Sequence, residues 1–134
     1  EFSTGPFVEP ITVASISSIR DTYRQGMTAG DLRARPAKYH ARVDDAFLGW
    51  ADIWLRPEFL AWSIEDLMPQ IDQPLLLIQG RDDEYGTLAQ LDRIEARVRG
   101  PTTRLVLSDC GHSPHRDQAA AVLEAIAAFV QGLR

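Results

Sequence analysis

The sequence predicts an α/β fold built on two parallel strands with flanking helices, and three observations carry that expectation. Leu75-Leu76-Leu77-Ile78 is a continuous apolar run rather than an alternating one, the mark of a strand covered on both faces, as parallel strands are. A helical pattern follows it, then a second strand-like run, then another helical pattern. Strand, helix and strand in one sheet form a right-handed crossover between parallel neighbours. The first seventy residues hold no such run and read as helices. The expected organisation is a helical segment over 1–70 and an α/β segment over 71–134.

In chain order, the first helix is expected over 11–27, where Val13, Ile16, Ile19, Tyr23 and Met27 recur at spacings of three and four and so share one face. Gly26 and Gly30 interrupt the pattern. Asp31 is placed to cap a short second helix, with Pro36 at or near its start. A third helix is expected over 39–54, with Val43, Phe47, Trp50 and Trp54 on one stripe and Pro57 closing it. All three tryptophans fall between positions 50 and 62, close to Phe47 and Phe59. Aromatic side chains at helical spacing pack as a core; the same layer could also wall an apolar substrate pocket. Asp44-Asp45 and Glu65-Asp66 read as solvated faces or caps, and His40 as a packing or surface histidine.

After the strand at 75–78, Leu88, Leu91, Ile94 and Val98 mark a helix over 86–98. Arg104 to Leu107 is the second strand. Gln118 to Leu133 is the last helix, with Ala119, Leu123, Ile126 and Val130 as its expected buried stripe.

Composition narrows the function classes. The chain has 134 residues, 45% of them hydrophobic and 25% charged, and a net charge of -5. These are values of a globular domain, and the acidic balance argues against nucleic acid and anionic membrane as partners. No apolar run approaches the ~20 residues of a membrane span. The single cysteine, Cys110, makes no intramolecular disulfide, which fits a reducing, cytoplasmic setting. The first residues lack the basic and apolar regions of a signal peptide.

Chemistry-bearing residues gather just after the two strands. Asp82 and Asp83 follow the first; Cys110, His112 and His115 follow the second. In open parallel sheets, functional groups collect beyond the carboxyl ends of the strands. Asp83 is placed to orient His112 and stabilise its protonated form, and His112 to act as a general base near neutral pH. Gly111 is expected to allow the tight turn before the histidine.

These residues resemble a known family. Gly80-x-x-Asp83 after an apolar strand and Gly111-His112 after the next look like the last two strands of an α/β-hydrolase. The stretches Gln79 to Thr87 and Asp109 to Asp117 are similar to a bacterial esterase-like branch of that superfamily, and the aromatic helical segment over 7–70 resembles its cap. The resemblance spans nearly the whole chain but only the carboxyl-terminal half of the family's fold. It implies Asp83 as the acid and His112 as the base of a Ser-His-Asp triad, acting on a small-molecule ester.

The departure from the pattern is as specific. The family's nucleophile stands in G-x-S-x-G on a strand-to-helix elbow. The serines here, Ser3, Ser15, Ser17, Ser18, Ser63, Ser108 and Ser113, stand in no such motif. Three readings follow. The chain is a remnant of the fold that serves association or small-molecule binding; or a dimer builds a new cleft in which Asp83 and His112 activate water or a nearby nucleophile, with Cys110 as the candidate; or Asp83, His112 and His115, with Cys110 or Asp82 as possible additions, hold a zinc ion whose bound water replaces the serine. Two parallel strands also leave both sheet edges unpaired, so self-association, a homodimer above all, is expected to complete the sheet.

Overall fold

The computed structural model describes residues 5–25 and 41–133. The expected short helix after Asp31, and the readings of Met27, Tyr39 and His40, lie outside the described residues. Contacts divide the chain into two units, Glu1–Phe7 with Ser63–Arg134, and Val8–Trp62. By these contacts residues 5–7 group with the segment that starts at Ser63. The reason is local: Phe7 and Ser63 form an antiparallel bridge, and the Ile64 amide donates to the Pro6 carbonyl at 2.9 Å.

The Val8–Trp62 unit holds helices α1 (Pro10–Arg24), α2 (Val43–Trp54) and α3 (Pro57–Leu60). Pro10 stands at the first turn of α1, where a missing amide costs nothing, and Glu9 and Thr12 close a capping box there. Pro57 does not merely follow α2 but opens α3 in the same way. The aromatic residues pack on one another: Tyr23 stacks on Phe47 with centroids 4.1 Å apart, Trp54 meets Phe59 edge-on at 4.7 Å, and Phe59 stacks on Trp62 at 5.7 Å. The Tyr23 hydroxyl donates to Asp44, and Asp52 accepts from Arg24. Asp44 and Asp52 thus serve the helix pair itself.

The other unit runs from a 3-10 helix (Glu65–Gln70) through β1 (Leu75–Gly80), α4 (Ala89–Glu95), β2 (Thr102–Leu107), the short α5 (Pro114–Asp117) and α6 (Ala119–Gly132). The strands pair in parallel, Leu75 opposite Thr102 through Gly80 opposite Leu107, as a two-stranded sheet. Both strands run longer than the apolar runs suggest, because backbone pairing carries them through Gln79-Gly80 and Thr102-Thr103. The core is Leu107, Cys110 and Val122, with Ile78, Leu105 and Ala121 packed against it. Among the described residues no helix is long and apolar enough to cross a membrane.

Two expectations about burial do not hold. Leu75 to Ile78 are only partly buried, and full burial begins at Gln79 and Gly80. The stripe assigned to the inner face of the last helix faces outward: Leu123 is 66% exposed, Ile126 43% and Val130 47%, while Val122 is buried. The helix is apolar on more than one face, so spacing alone does not say which face meets the sheet.

Candidate active site

The end of β1 and the end of β2 are brought together by backbone. The Arg81 amide donates to the Leu107 carbonyl at 2.8 Å, which extends the ladder past the strands, and the Asp82 amide donates to the Cys110 carbonyl at 3.0 Å. This approach requires Gly80. A Cβ there would lie 2.1 Å from the Cys110 carbonyl oxygen and 2.3 Å from that of Gly111. Both contacts are with backbone, so no side-chain rotation could relieve them. The glycine at the end of β1 therefore sets how near the histidine loop comes to the acid loop.

Asp83 and His112 meet across that gap. His112 Nδ1 is 2.9 Å from Asp83 Oδ1 and 3.1 Å from Oδ2. The carboxylate has further donors: the Tyr85 amide at 2.9 Å and Gln79 Nε2 at 3.4 Å. Gln79 is buried at the end of β1 and also donates to the Gly86 and Thr87 carbonyls at 2.8 and 3.2 Å. It thereby closes the acid loop on itself. An ionised carboxylate only accepts hydrogen bonds, so the imidazole proton sits on Nδ1 and the basic lone pair of the neutral ring on Nε2.

The histidine loop is held by two other acids. The Gly111 amide donates to Asp117 Oδ2 at 2.9 Å, and the His112 amide to Glu84 Oε2 at 3.3 Å. The Tyr85 ring lies 4.8 Å from the imidazole, tilted by 60°. The left-handed residue in this loop is Asp109, at φ 51°, rather than Gly111. Aspartate adopts that conformation more readily than most side chains. A Cβ on Gly111 would instead come within 3.2 Å of Glu84.

These surroundings move the two protonation equilibria apart. The Asp83 hydrogen bond raises His112 above its ordinary value near 6.5; burial opposes the rise, and the charges of Asp83 and Glu84 add to it. Burial pushes Asp83 upward, but the bonds from His112 and the Tyr85 amide and the imidazolium charge outweigh it, and the net movement is downward. Proton on histidine and charge on aspartate are the favoured state of the pair.

The other sequence candidates fare differently. Cys110 is 2% exposed and belongs to the core, and burial raises its thiol, helped by the charges of Asp117, Asp82 and Asp83. Cys110 thus packs in the core, in surroundings that favour the thiol over the thiolate. Asp82 and His115 are exposed, His115 on α5. Among the described residues, no three His, Cys, Asp or Glu side chains come together to hold a metal ion. The expected zinc set of Asp83, His112 and His115 thus supplies one bonded pair, whose Nδ1 is already engaged by the carboxylate, and the residues present do not fit the ion. Sequence reasoning overlooked Gln79, Glu84, Tyr85 and Asp117. The one available signal was Gln79, a polar residue ending an apolar strand.

No family model matches the chain, and no curated protein matches it significantly. Solved structures do. One is an esterase, RhEst1 from Rhodococcus sp. ECU1013, at 16% identity and a TM-score of 0.51, over 91% of this chain and 42% of the esterase. Another is VinJ, at 21% identity and a TM-score of 0.56, over 95% of this chain and 50% of VinJ. The chain thus spans half or less of the length of these structures. At these identities the likeness is one of fold: a small α/β unit of esterase-like type.

Proposed function

We propose that this chain contributes the acid–base half of an ester-hydrolysing site, with His112 as general base and Asp83 as the residue that orients it. The supporting observation is the contact of one imidazole nitrogen with both carboxylate oxygens, at 2.9 and 3.1 Å. In the proposed reaction His112 Nε2 takes a proton from the attacking water or hydroxyl as it adds to the ester carbonyl. The proton then passes to the leaving alkoxide. Asp83 keeps Nδ1 protonated throughout and stabilises the imidazolium that forms between the two transfers. The esterase among the fold neighbours favours an ester as the substrate class. Hydrolysis of p-nitrophenyl acetate tests the reading. His112→Ala is expected to lower the rate by about 100-fold or more, the usual range for a positioned base. A rate unchanged in that variant removes His112 from the chemistry.

A second reading has its own support. The apolar stripe of α6 (Leu123, Ile126, Val130) faces outward, as a surface for association would. In that reading the pair at Asp83 and His112 is a structural tie between two loops, and the chain is a non-catalytic α/β-hydrolase remnant. It predicts background hydrolysis by the chain in every preparation.

A further inference from the structure

Gln79 is the polar residue of β1, standing between the apolar run Leu75 to Ile78 and Gly80, and it is 7% exposed. Burying an amide is favourable only where its donors and acceptors find partners. The two ends of this side chain differ in that respect. Nε2 faces three oxygens: the Gly86 carbonyl at 2.8 Å, the Thr87 carbonyl at 3.2 Å and Asp83 Oδ2 at 3.4 Å. Two carbonyls and an ionised carboxylate only accept, so they fix which end of the amide is the nitrogen. Oε1 is buried and has no partner. A buried acceptor left unpaired costs stability, and an apolar side chain at this position would leave none. Breaches of this kind collect at functional sites. The amide is kept here for its nitrogen.

The three contacts of that nitrogen act on one loop. A carboxylate turns easily about its last torsion, whose wells are broad. Two donors besides the imidazole oppose that turn in Asp83. The Tyr85 amide holds Oδ1 at 2.9 Å, and Gln79 holds Oδ2. The Tyr85 amide belongs to the acid loop and travels with it. Gln79 belongs to β1, whose register with β2 is fixed from Leu75 to Gly80. It is therefore the donor that ties the carboxylate to the sheet. Its bonds to the Gly86 and Thr87 carbonyls restrain the same loop at its far end.

We propose that Gln79 is a positioning residue for the acid–base pair: from the end of β1 it holds Asp83 turned so that both carboxylate oxygens meet the His112 ring. The role rests on the reading of Asp83 and His112 as that pair, and Gln79 acts through Asp83 rather than on the ester. Without the amide, the acid loop keeps its Tyr85 bond but loses its tie to the strand. The carboxylate then turns, and the proton on Nδ1 is held less well. Glu84 and Asp117, which accept from the amides of the histidine loop, are untouched by that loss. The charge of Glu84, which also favours the imidazolium, stays in place.

Heteronuclear magnetic resonance of the intact chain tests the contact without any substrate. The Gln79 side-chain amide protons should exchange slowly with solvent. Their shifts should move as His112 titrates, and again in Asp83→Asn. Protons that exchange as an open amide does, or that ignore both changes, overturn the proposal. Gln79→Met tests the consequence. The His112 midpoint should fall part of the way toward its value in Asp83→Asn. With p-nitrophenyl acetate, kcat should drop by about 10-fold at unchanged KM, less than the roughly 100-fold that a misplacement of ~1 Å brings. A merely structural glutamine would lower the folded fraction and leave the midpoint and the kcat of the folded molecules as they were, and that result also overturns the proposal. Should Gln79→Met fail to fold, the amide signals of the intact chain decide. An intact chain that hydrolyses no ester, yet whose Gln79 signals respond as expected, sinks the ester reading and leaves the tie between Gln79 and Asp83 standing.

Discussion

The carboxyl end of the sheet and its outer flank are built on the same strand, yet they differ in how completely their groups are matched. At the carboxyl end, Asp83 accepts from three donors, His112 is held at its ring and its amide, and Gly80 admits the Cys110 and Gly111 carbonyls to a distance no side chain would allow. At the flank, Leu123, Ile126 and Val130 face outward and the β1 edge carries nothing to discourage pairing. One end is densely hydrogen-bonded, with the buried Gln79 Oε1 left without a partner; the other presents apolar side chains to water. Satisfied polar clusters fix geometry, whereas large open apolar faces mark surfaces made for contact.

The comparison can be broken at either end. The largest stability effect is expected from Gly80→Ala, which must force the 110–111 backbone away from β1 and should cost about 3 kcal/mol in urea unfolding, the upper range for overpacking. A cost under about 0.5 kcal/mol would show that the loops do not approach as closely as described. Next is a pair of neighbours on one helix. Val122→Ala should cost about 2 kcal/mol through the cavity it leaves, and Leu123→Ser no more than about 0.5 kcal/mol in the chain alone. Equal costs would erase the distinction between the inner and outer faces of α6.

A similar pairing sharpens the catalytic end. Asp83→Asn should lower the p-nitrophenyl acetate rate by about 100-fold or more, because the amide no longer holds the proton on Nδ1, while Asp82→Asn should leave it unchanged. Equal losses would mean that the two acids act only through general charge.

The smallest expected effect is the dependence of stability on pH. His112 is raised in the folded chain, so its contribution is complete below the ordinary histidine value near 6.5 and fades as pH climbs through the raised value. Asp83 is lowered, so its contribution is complete above the ordinary value of 3.8 and fades as pH falls through the lowered one. Stability from the pair should therefore be greatest between about pH 4 and 6.5, and His112→Ala should flatten both flanks of that plateau in urea unfolding.

The sequence made some of this legible and hid the rest for physical reasons. The unbroken run at Leu75 to Ile78, too short for a helix and preceded by Pro74, reads as a strand although its expected full burial does not hold, and the parallel pair follows from the helix between the runs. Asp83 and His112 could be read because each stands one short loop beyond a strand, where parallel topology gathers loops at one rim. The orientation of α6 could not be read, because Leu123 and Val122 are equally apolar and only packing separates them. Cys110 looked available by position, but its neighbours Leu107 and Val122 enclose it. Glu84 and Asp117 escaped notice because each acts on a backbone amide of the histidine loop, 28 positions away for Glu84 and six for Asp117, and no periodic pattern records such a bond. The left-handed residue is Asp109 rather than Gly111, which lies beside the carboxylates of Glu84 and Asp117 without an unusual φ.

Proton magnetic resonance of the imidazole, followed through a pH titration of the intact chain and of Asp83→Asn, addresses the link between acid and base most directly. The His112 ring should titrate above about 6.5, with its neutral form protonated at Nδ1, and the midpoint should drop when the carboxylate is replaced by the amide. A ring that titrates at or below the ordinary value in the intact chain, or whose midpoint ignores the substitution, would contradict the coupling of Asp83 to His112.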